Sequence, residues 1–296
     1  MVKVKRLNSG YSVPTVGLGT WKLERGKAGA AVKYAVAQAG YRHVDCASIY
    51  DNEAEIGETF RELWQAGIKR EEVWVTSKLW NTDHRPERVE QACRKTLADL
   101  KLAYLDLYLM HWGIAFAPEG DKEGVSIQET WRAMEKLVKQ GLVRSIGVAN
   151  FTTMMLVDLL TYAAIKPAMN QVELHPYNSQ TELVQFCQDQ DVEVTAYSPL
   201  GNPSLAAGGG PKLLEDKTIK AIAAKQQRTA AQIVLNWAIG RGTAVIPKSG
   251  TPARIAENMA VFDFELTEEE RAAIDSLNRN YRLVNPIDWW GIPYFG

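Results

Sequence analysis

The stretch YRHVDCASIY, residues 41–50, sets a short apolar strand directly before two groups that can carry chemistry. Val44 is the inward residue of this strand, Asp45 follows it at once, and Tyr50 comes five residues later in a polar loop. Short strands bounded by polar turns are typical of parallel sheets. In strand–helix units, reactive side chains collect where a strand ends and its loop begins. The acid and the phenol therefore predict a functional site at the carboxyl end of a strand.

The same alternation of strand and helix repeats along the whole chain. Strands are predicted at 16–20, 41–45, 73–77, 105–110, 145–148, 169–172, 192–196 and 244–246, and helices at 27–38, 53–64, from Pro86, and at 127–139, 153–162, 181–188, 217–225, 230–239, after Thr251-Pro252 and at 267–277. Two short strands around Asn8-Ser9-Gly10 predict an N-terminal hairpin. Eight strand–helix units without a G-x-G-x-x-G turn favour a closed barrel over a doubly wound sheet. We therefore predict one (β/α)8 TIM barrel domain over residues 1–296, with the hairpin and two extra helices.

Composition and charge agree with a globular protein that acts on a small molecule. The 296 residues are 46% hydrophobic and 23% charged, with a formal net charge of −1, which gives no reason to expect nucleic acid or an anionic membrane as partner. Cys46, Cys93 and Cys187 are odd in number and widely spaced, so no disulfide framework is predicted. Residues 1–10 lack the apolar core of a signal peptide, and no run approaches the roughly 20 apolar residues of a membrane span. We expect a cytoplasmic monomer or weak dimer.

The predicted strand ends bring four titratable side chains together from three consecutive strands. They are Asp45 with Tyr50, Lys78 and His111. Each alone has an ordinary structural explanation, since a lone lysine at a strand end is usually a solvated cation and a lone histidine after an apolar run is usually structural. On one face of one barrel, the four together favour chemistry.

These residue types fit the reduction of a carbonyl group. A phenol has an unperturbed pKa of about 10, and a nearby ammonium favours the phenolate, so Lys78 is expected to lower the pKa of Tyr50. Asp45 would keep Lys78 protonated and oriented, and His111 would donate a hydrogen bond to the carbonyl oxygen. Tyr50 would then be the general acid. Because no side chain can supply hydride, a nicotinamide cofactor is required.

Other chemistries fit the same residues less well. His43, His84, His111 and His175 include no H-x-H or H-x-x-x-H pair that could chelate an ion, so no metal site is predicted. A Schiff-base lyase that uses Lys78 as nucleophile stays open, because buried lysines can serve in that role. A non-enzymatic nucleotide-binding protein on the same fold also stays open, although the four clustered side chains argue against it.

Beyond the first stretch, several long motifs resemble those of the aldo-keto reductase family over essentially the whole chain. They are GLGTW (17–21), NEAEIG (52–57), TSKLWN (76–81), YLDLYLMHW (104–112), VRSIGVANF (143–151), NQVELHPY (170–177), TAYSPLG (195–201) and IPKSGTPARIAEN (246–258). The resemblance implies that Asp45, Tyr50, Lys78 and His111 form the family's catalytic tetrad. It also implies NADPH as cofactor, and the tail resembles those of xylose and sugar-phosphate reductases.

The resemblance further implies which residues bind the cofactor. The nicotinamide would stack on Tyr197, with Asn150 and Gln171 at its carboxamide. The other implied residues are Thr20, Trp21 and Asp45 near the nicotinamide, Ser198 and Leu200 near the pyrophosphate, and Lys248, Ser249, Thr251, Arg254, Glu257 and Asn258 around the 2′-phosphate and adenine. A helix N-terminus flanked by Lys248 and Arg254 is a physically suitable anion site.

The substrate pocket would have aromatic walls. By the same resemblance it would be lined by Trp21, Tyr50, Trp80, His111 and Trp112, with the tail NPIDWWGIPYF (285–295) as a lid. Aromatic walls accept apolar aldehydes, but tryptophan also stacks on sugars, so aldoses, sugar phosphates and aromatic or aliphatic aldehydes all stay open. Trp289 and Trp290 would either contact the substrate or anchor the tail.

Three positions depart from the family pattern. Ala149 stands where the family usually has Ser, and a lost hydrogen bond of about 1 kcal/mol would weaken cofactor binding several-fold. Ser204 is the expected counterpart of an acidic residue that latches a loop against a lysine such as Lys22, and residues 208–210 would loosen that loop further. We therefore expect fast cofactor release. Gly113 replaces the usual Pro after the HW pair.

Overall fold

The computed structural model, which describes residues 3–202 and 209–295, is built on a sheet of eight parallel strands in chain order. The strands are β3 Leu18–Gly19, β4 His43–Asp45, β5 Trp74–Leu79, β6 Leu105–Met110, β7 Val143–Ala149, β8 Met169–Glu173, β9 Glu193–Tyr197 and β10 Ala244–Val245. A parallel bridge between Val16 and Val245 joins the last strand to the segment before β3 and closes the sheet on itself. The predicted (β/α)8 barrel is confirmed.

An N-terminal hairpin covers one end of the barrel, as predicted. Its strands are β1 Val4–Arg6 and β2 Ser12–Pro14, which pair antiparallel. Gly10 in the connecting turn has a φ of 87°, a left-handed conformation that glycine adopts without steric cost. Leu7 and Val13 pack in one cluster with Trp74, which begins β5. The hairpin therefore lies at the amino ends of the strands and leaves the carboxyl ends open.

Helices surround the barrel. They are α1 Ala28–Ala37, α2 Glu53–Gln65, α3 Pro86–Leu100, α4 Ile127–Lys139, α5 Thr153–Tyr162, α6 Thr181–Asp189, α7 Lys217–Gln226, α8 Ala230–Gly240, α9 Pro252–Met259, α10 Glu268–Asp275 and α11 Ile287–Trp290. Two helices follow β9, and α9 and α10 follow β10, which gives the two predicted extra helices, and the short α11 in the tail is a third. A capping box of Thr267 and Glu270 begins α10. In the described part of the chain, no helix has the length and apolarity needed to cross a bilayer.

The strand register brings the candidate residues to one level. Gly19 pairs with Asp45, Asp45 pairs with Thr76, and Lys78 pairs with Leu109, two residues before His111. Side chains alternate between the two faces of a strand, so Lys78 and its neighbour Ser77 point in opposite directions. Ser77 bonds to a helix outside the barrel, at Glu53 of α2. Lys78 therefore points into the barrel, at the end where β4 and β6 deliver Asp45 and His111.

Candidate active site

A cavity of about 1280 Å³ lies at the carboxyl ends of the strands. Most of the predicted site residues line it: Trp21, Asp45, Tyr50, Trp80, His111, Trp112, Asn150, Gln171, Tyr197, Ser198, Leu200, Lys248, Ser249, Thr251, Arg254, Glu257 and Asn258. Thr20 and Lys78 lie behind its wall instead, and both are fully buried. Thr20 donates its hydroxyl to the carbonyl of Asp45 at 2.8 Å. The structure therefore places Thr20 as a support for Asp45.

Lys78 and Asp45 form a buried ion pair. The distance between Lys78 Nζ and Asp45 Oδ1 is 2.6 Å, and Nζ also donates to the carbonyl of Cys46 at 2.8 Å. Gln171 donates from Nε2 to the other carboxylate oxygen of Asp45 at 2.7 Å. Burial alone would lower the pKa of Lys78, but the charge of Asp45 and the hydrogen bond to it outweigh burial, and the pKa lies above its usual value. Lys78 is therefore a fixed cation, as predicted.

Tyr50 contacts this cation from the short helical turn Ser48–Tyr50. Lys78 Nζ lies 5.0 Å from the centroid of the phenol ring. Burial raises the pKa of Tyr50 to about 12, and Lys78 opposes that rise. Lys78 lowers the pKa of Tyr50 as expected, but the pKa still lies above its usual value, because removing a phenolate from water outweighs one neighbouring ammonium. Tyr50 therefore keeps its proton at neutral pH.

His111 also packs against the phenol. The ring centroids of His111 and Tyr50 are 5.9 Å apart and the rings are nearly perpendicular, while Trp80 lies 5.1 Å from His111 in the same edge-on manner. Burial lowers the pKa of His111 well below its usual value, and the positive charge of Lys78 adds to this effect. The imidazole is therefore neutral, and one of its nitrogens carries a proton that it can donate.

A chain of hydrogen bonds continues from His111 to Tyr197. Asn150 Nδ2 donates to the carbonyl of His111 at 3.0 Å, and the hydroxyl of Tyr197 donates to Asn150 Oδ1 at 2.7 Å. Asn150 has a φ of 63°, which asparagine adopts more readily than most residues. Ala149, before it, packs in the barrel interior with Leu109 and Met169. The chain fixes an aromatic ring and an amide side by side on the cavity wall.

The opposite end of the cavity is positively charged. Lys248 and Arg254 are exposed there, and α9 begins directly after Thr251. Ser249 Oγ accepts a hydrogen bond from the backbone N–H of Thr251 at 3.1 Å, which shapes the turn into the helix. Because a helix N-terminus carries partial positive charge, it adds to the two cations. This end of the cavity is suited to an anion.

The C-terminal tail forms an aromatic wall of the cavity. Trp290 lies 6.3 Å from Trp80 and 5.3 Å from Trp112, measured between ring centroids. It also packs on Phe116 at 5.1 Å. Trp289 lines the cavity too, but 52% of it is exposed, so it is not a core anchor. Trp290 serves in both ways, as an anchor of the tail and as a wall of the cavity.

Several cavity residues escaped the sequence reasoning. They are Leu23, Glu24, Lys27, Ile49, Pro199, Gly201, Asn202, Lys212, Leu213, Leu214, Glu215 and Val284, among others. Most lie on loops, where no helical or strand period applies. Ile49 did carry a signal, because it is an apolar residue in the polar loop beside Tyr50. Ser204 and residue 208 lie outside the described residues, and the expected partner Lys22 has its Nζ 4.5 Å from the centroid of Trp21.

Comparison with known proteins shows where this arrangement occurs elsewhere. The model of the Aldo/keto reductase family matches residues 15–279. Aldo-keto reductase family 1 member A1 of Gallus gallus is 51% identical over 296 residues, which cover 95% of this chain and 90% of the relative. The protein of the same name in Homo sapiens is 49% identical over 297 residues, covering 95% and 91%.

Solved structures agree with the sequence relatives. An aldo-keto reductase of Bombyx mori in complex with NADP has a TM-score of 0.94 and 38% identity, covering 100% of this chain and 99% of that one. An aldo-keto reductase complexed with NADPH has a TM-score of 0.95 and 36% identity, covering 100% and 93%. The aldose reductase of Schistosoma japonicum has a TM-score of 0.92 and 41% identity, covering 99% and 98%. With a family model that spans most of the chain and relatives identical at about half of its positions, this protein belongs to the aldo/keto reductase family and is an oxidoreductase.

Proposed function

We propose that this enzyme reduces apolar aldehydes and ketones to alcohols with NADPH, and that Tyr50 is the proton donor. The observation that carries the proposal is the surroundings of Tyr50. Its phenol keeps its proton, touches a buried cation at Lys78, and shares the cavity wall with a neutral His111. A protonated acid, a cation to stabilise its conjugate base and a second neutral donor are the parts that carbonyl reduction needs.

The cavity fits NADPH along its length. Typical small-molecule pockets hold about 300–1,000 Å³, so the 1280 Å³ here leaves room for a dinucleotide and a substrate together. Tyr197 offers a ring face at one end, beside the amides of Asn150 and Gln171. Lys248 and Arg254 offer cations at the other. NADPH, when bound, supplies the hydride that no side chain can provide. Two structural relatives were solved with NADP or NADPH.

Each of the four tetrad side chains would have its own role in the reaction. A carbonyl oxygen held between Tyr50 and His111 receives hydrogen bonds from the phenol and the imidazole. Tyr50 gives its proton to that oxygen as negative charge develops there. Lys78 stabilises the phenolate that remains, because its ammonium lies against the ring. Asp45 acts through Lys78, holding the ammonium in place with its charge and its 2.6 Å hydrogen bond.

The lyase alternative is disfavoured by the state of Lys78. A Schiff base needs a neutral amine that can reach a substrate carbonyl. The amine of Lys78 is held as a cation by Asp45, is fully buried, and lies behind the cavity wall. A substrate in the cavity would meet Tyr50 and His111 before it met Lys78.

The walls around Tyr50 and His111 favour apolar substrates. In the described part of the chain, six residues give these walls aromatic or aliphatic surface: Trp21, Ile49, Trp80, Trp112, Trp289 and Trp290. One cation borders this surface, since Nζ of Lys22 lies 4.5 Å from the ring centroid of Trp21. The cations Lys248 and Arg254 lie at the opposite end, where they would meet the cofactor phosphate. A sugar phosphate would therefore place its own charge against apolar surface, which costs free energy. We propose aromatic and aliphatic aldehydes as the substrate class.

Steady-state oxidation of NADPH tests this proposal. The matched substrates are an aromatic aldehyde, an aliphatic aldehyde of similar size, an aldose and a sugar phosphate. The proposal predicts the highest kcat/KM for the two apolar aldehydes. A sugar phosphate that is turned over more efficiently than both would overturn the substrate class. If none of the four is reduced and borohydride traps a substrate on Lys78, the lyase replaces the reductase.

A further inference from the structure

The C-terminal tail, together with residues 281–284 that lead into it, is fastened to the barrel at two places. Near its start, the backbone N–H groups of Leu283 and Val284 donate to the two carboxylate oxygens of Glu173, at 2.8 and 2.7 Å. Glu173 ends β8 and is fully buried. Near its end, the hydroxyl oxygen of Tyr294 accepts a hydrogen bond from the backbone N–H of Gly113 at 2.8 Å. The tryptophans of the tail lie between these two fastenings.

The second fastening depends on glycine at position 113. A Cβ there would lie 2.2 Å from Met155 Cε and 3.1 Å from the hydroxyl oxygen of Tyr294. Met155 could move, because Cε is the end of a flexible side chain, but the hydroxyl is held close by the hydrogen bond itself. A proline at this position would have no N–H to donate. The departure from the family pattern at Gly113 is therefore what makes this bond available.

The bond positions aromatic rings next to the reacting centre. The ring of Tyr294 lies edge-on to Trp112 at 5.3 Å, and Trp290 lies edge-on to Trp112 at the same distance. Trp112 directly follows His111 and is only 3% exposed. Edge-on packing is a preferred geometry of aromatic pairs, and such pairs stabilise the fold by more than the burial of their apolar area alone. Tyr294 and Trp290 thus pack on one buried ring, so a shift of Tyr294 would disturb Trp290.

We propose that the hydrogen bond between Gly113 and Tyr294 is a latch that sets substrate selectivity, by holding Trp290 as a fixed wall of the carbonyl pocket. Tyr294 is a positioning residue, since Trp290 lines the cavity and Tyr294 acts through Trp112. A fixed aromatic wall favours carbonyl compounds large enough to reach it, and a small aldehyde gains little from it. The inference rests on the proposed reductase function.

Two substitutions open the latch from opposite sides. Tyr294→Phe removes the acceptor and leaves an aromatic ring that can shift on Trp112, and Gly113→Pro removes the donor. The exposed tail residue Tyr281 supplies the matched control, Tyr281→Phe. For an aromatic aldehyde, Tyr294→Phe should raise KM about three- to tenfold, the range of one lost hydrogen bond, with a smaller change in kcat. For propanal, KM should shift by less than about twofold on the same reasoning.

The double variant tests whether the two residues act as one device. If they do, adding Tyr294→Phe to Gly113→Pro should cause no further loss of selectivity beyond that of Gly113→Pro alone, which also places a Cβ against Met155. Additive losses would mean that the residues act independently, which overturns the latch. An unchanged ratio of kcat/KM between the two aldehydes in Tyr294→Phe would overturn it as well.

Hydrogen exchange measures the latch without any turnover. Backbone amides in residues 285–295 should exchange faster in Tyr294→Phe than in the wild type or in Tyr281→Phe, because a released tail opens more often. Equal exchange in all three proteins would contradict the latch. A protein whose tail responds as predicted but that reduces no carbonyl compound would overturn the proposed function and leave the tail fastening in place, so the two failures are distinguishable.

Discussion

Lys78 and Asp45 form an ion pair of 2.6 Å in which the lysine side chain is fully buried and the aspartate is 2% exposed. A buried pair is expensive to desolvate, so it adds little stability over an apolar pair of similar size. Its presence here is better explained by chemistry. It fixes one ammonium against the ring of Tyr50, and Gln171 and Cys46 hold the pair in that orientation.

Breaking this pair should destabilise the protein strongly. Lys78→Met leaves the carboxylate of Asp45 buried without its partner, so unfolding in urea should show a loss of about 3–5 kcal/mol. Lys95→Met is the control, because the pair of Lys95 with Asp99 lies on an exposed helix surface and its loss should cost less than about 1 kcal/mol. Equal losses for the two variants would show that Asp45 is not left as an uncompensated buried charge.

Glu53, the first residue of α2, should make stability depend on pH near neutrality. Burial raises its pKa to about 7 from a usual value of 4.5. The hydrogen bond that Glu53 accepts from Ser77 at 2.5 Å lowers the pKa, but by less than burial raises it. Because the folded-state pKa is the higher one, the contribution of Glu53 is fully present below the unfolded-state pKa and is lost as the pH rises through the folded-state pKa.

The variant Glu53→Gln isolates this contribution, because other groups that titrate in the same range are common to both proteins. From about pH 5 to about pH 7, the free energy of unfolding of the wild type should fall relative to the variant by roughly 1.4 kcal/mol per pH unit. Chemical denaturation at a series of pH values measures the difference. Parallel curves would mean that Glu53 titrates at its usual pKa in the folded protein.

Arg254 should distinguish NADPH from NADH. The two cofactors differ by the 2′-phosphate, and Arg254 can bind that group bidentately beside the N-terminus of α9. A charge-assisted bond contributes roughly 1.5–3 kcal/mol, so Arg254→Ala should weaken NADPH binding about 10- to 150-fold and NADH little. The gap should shrink at high salt. Arg94→Ala, on the exposed face of α3, is the control. Equal weakening of both cofactors would show that Arg254 does not read the phosphate.

The order of strands and the level at which they end could be predicted from the sequence. Strand length and alternation are local properties, and the eight units place Asp45, Lys78 and His111 at one edge once the barrel closes. The family motifs that contain Tyr197 and Arg254 predicted, by resemblance, that both residues bind the cofactor, and both line the same cavity.

What could not be predicted depends on tertiary surroundings. Burial is the main cause of the raised pKa of Tyr50. The sequence of residues 41–50 does not show how deeply a side chain is buried. Thr20 was expected near the cofactor, and its hydroxyl donates to the carbonyl of Asp45, a contact 25 residues away along the chain that no local pattern indicates. The bond between Gly113 and Tyr294 joins positions 181 residues apart, where no local pattern can indicate a contact.

The central claim is that Tyr50 gives its proton to the substrate. Tyr50→Phe keeps a ring beside Lys78 and His111 and removes only the hydroxyl group. General acid catalysis contributes about 10²- to 10⁴-fold to the rate. We therefore expect kcat for the best aldehyde to fall by at least about 100-fold. The dissociation constant for NADPH, followed by fluorescence titration, should stay within about twofold, since the phenol is assigned no bond to the cofactor. Turnover of Tyr50→Phe within about tenfold of the wild type would contradict the assignment of Tyr50 as proton donor.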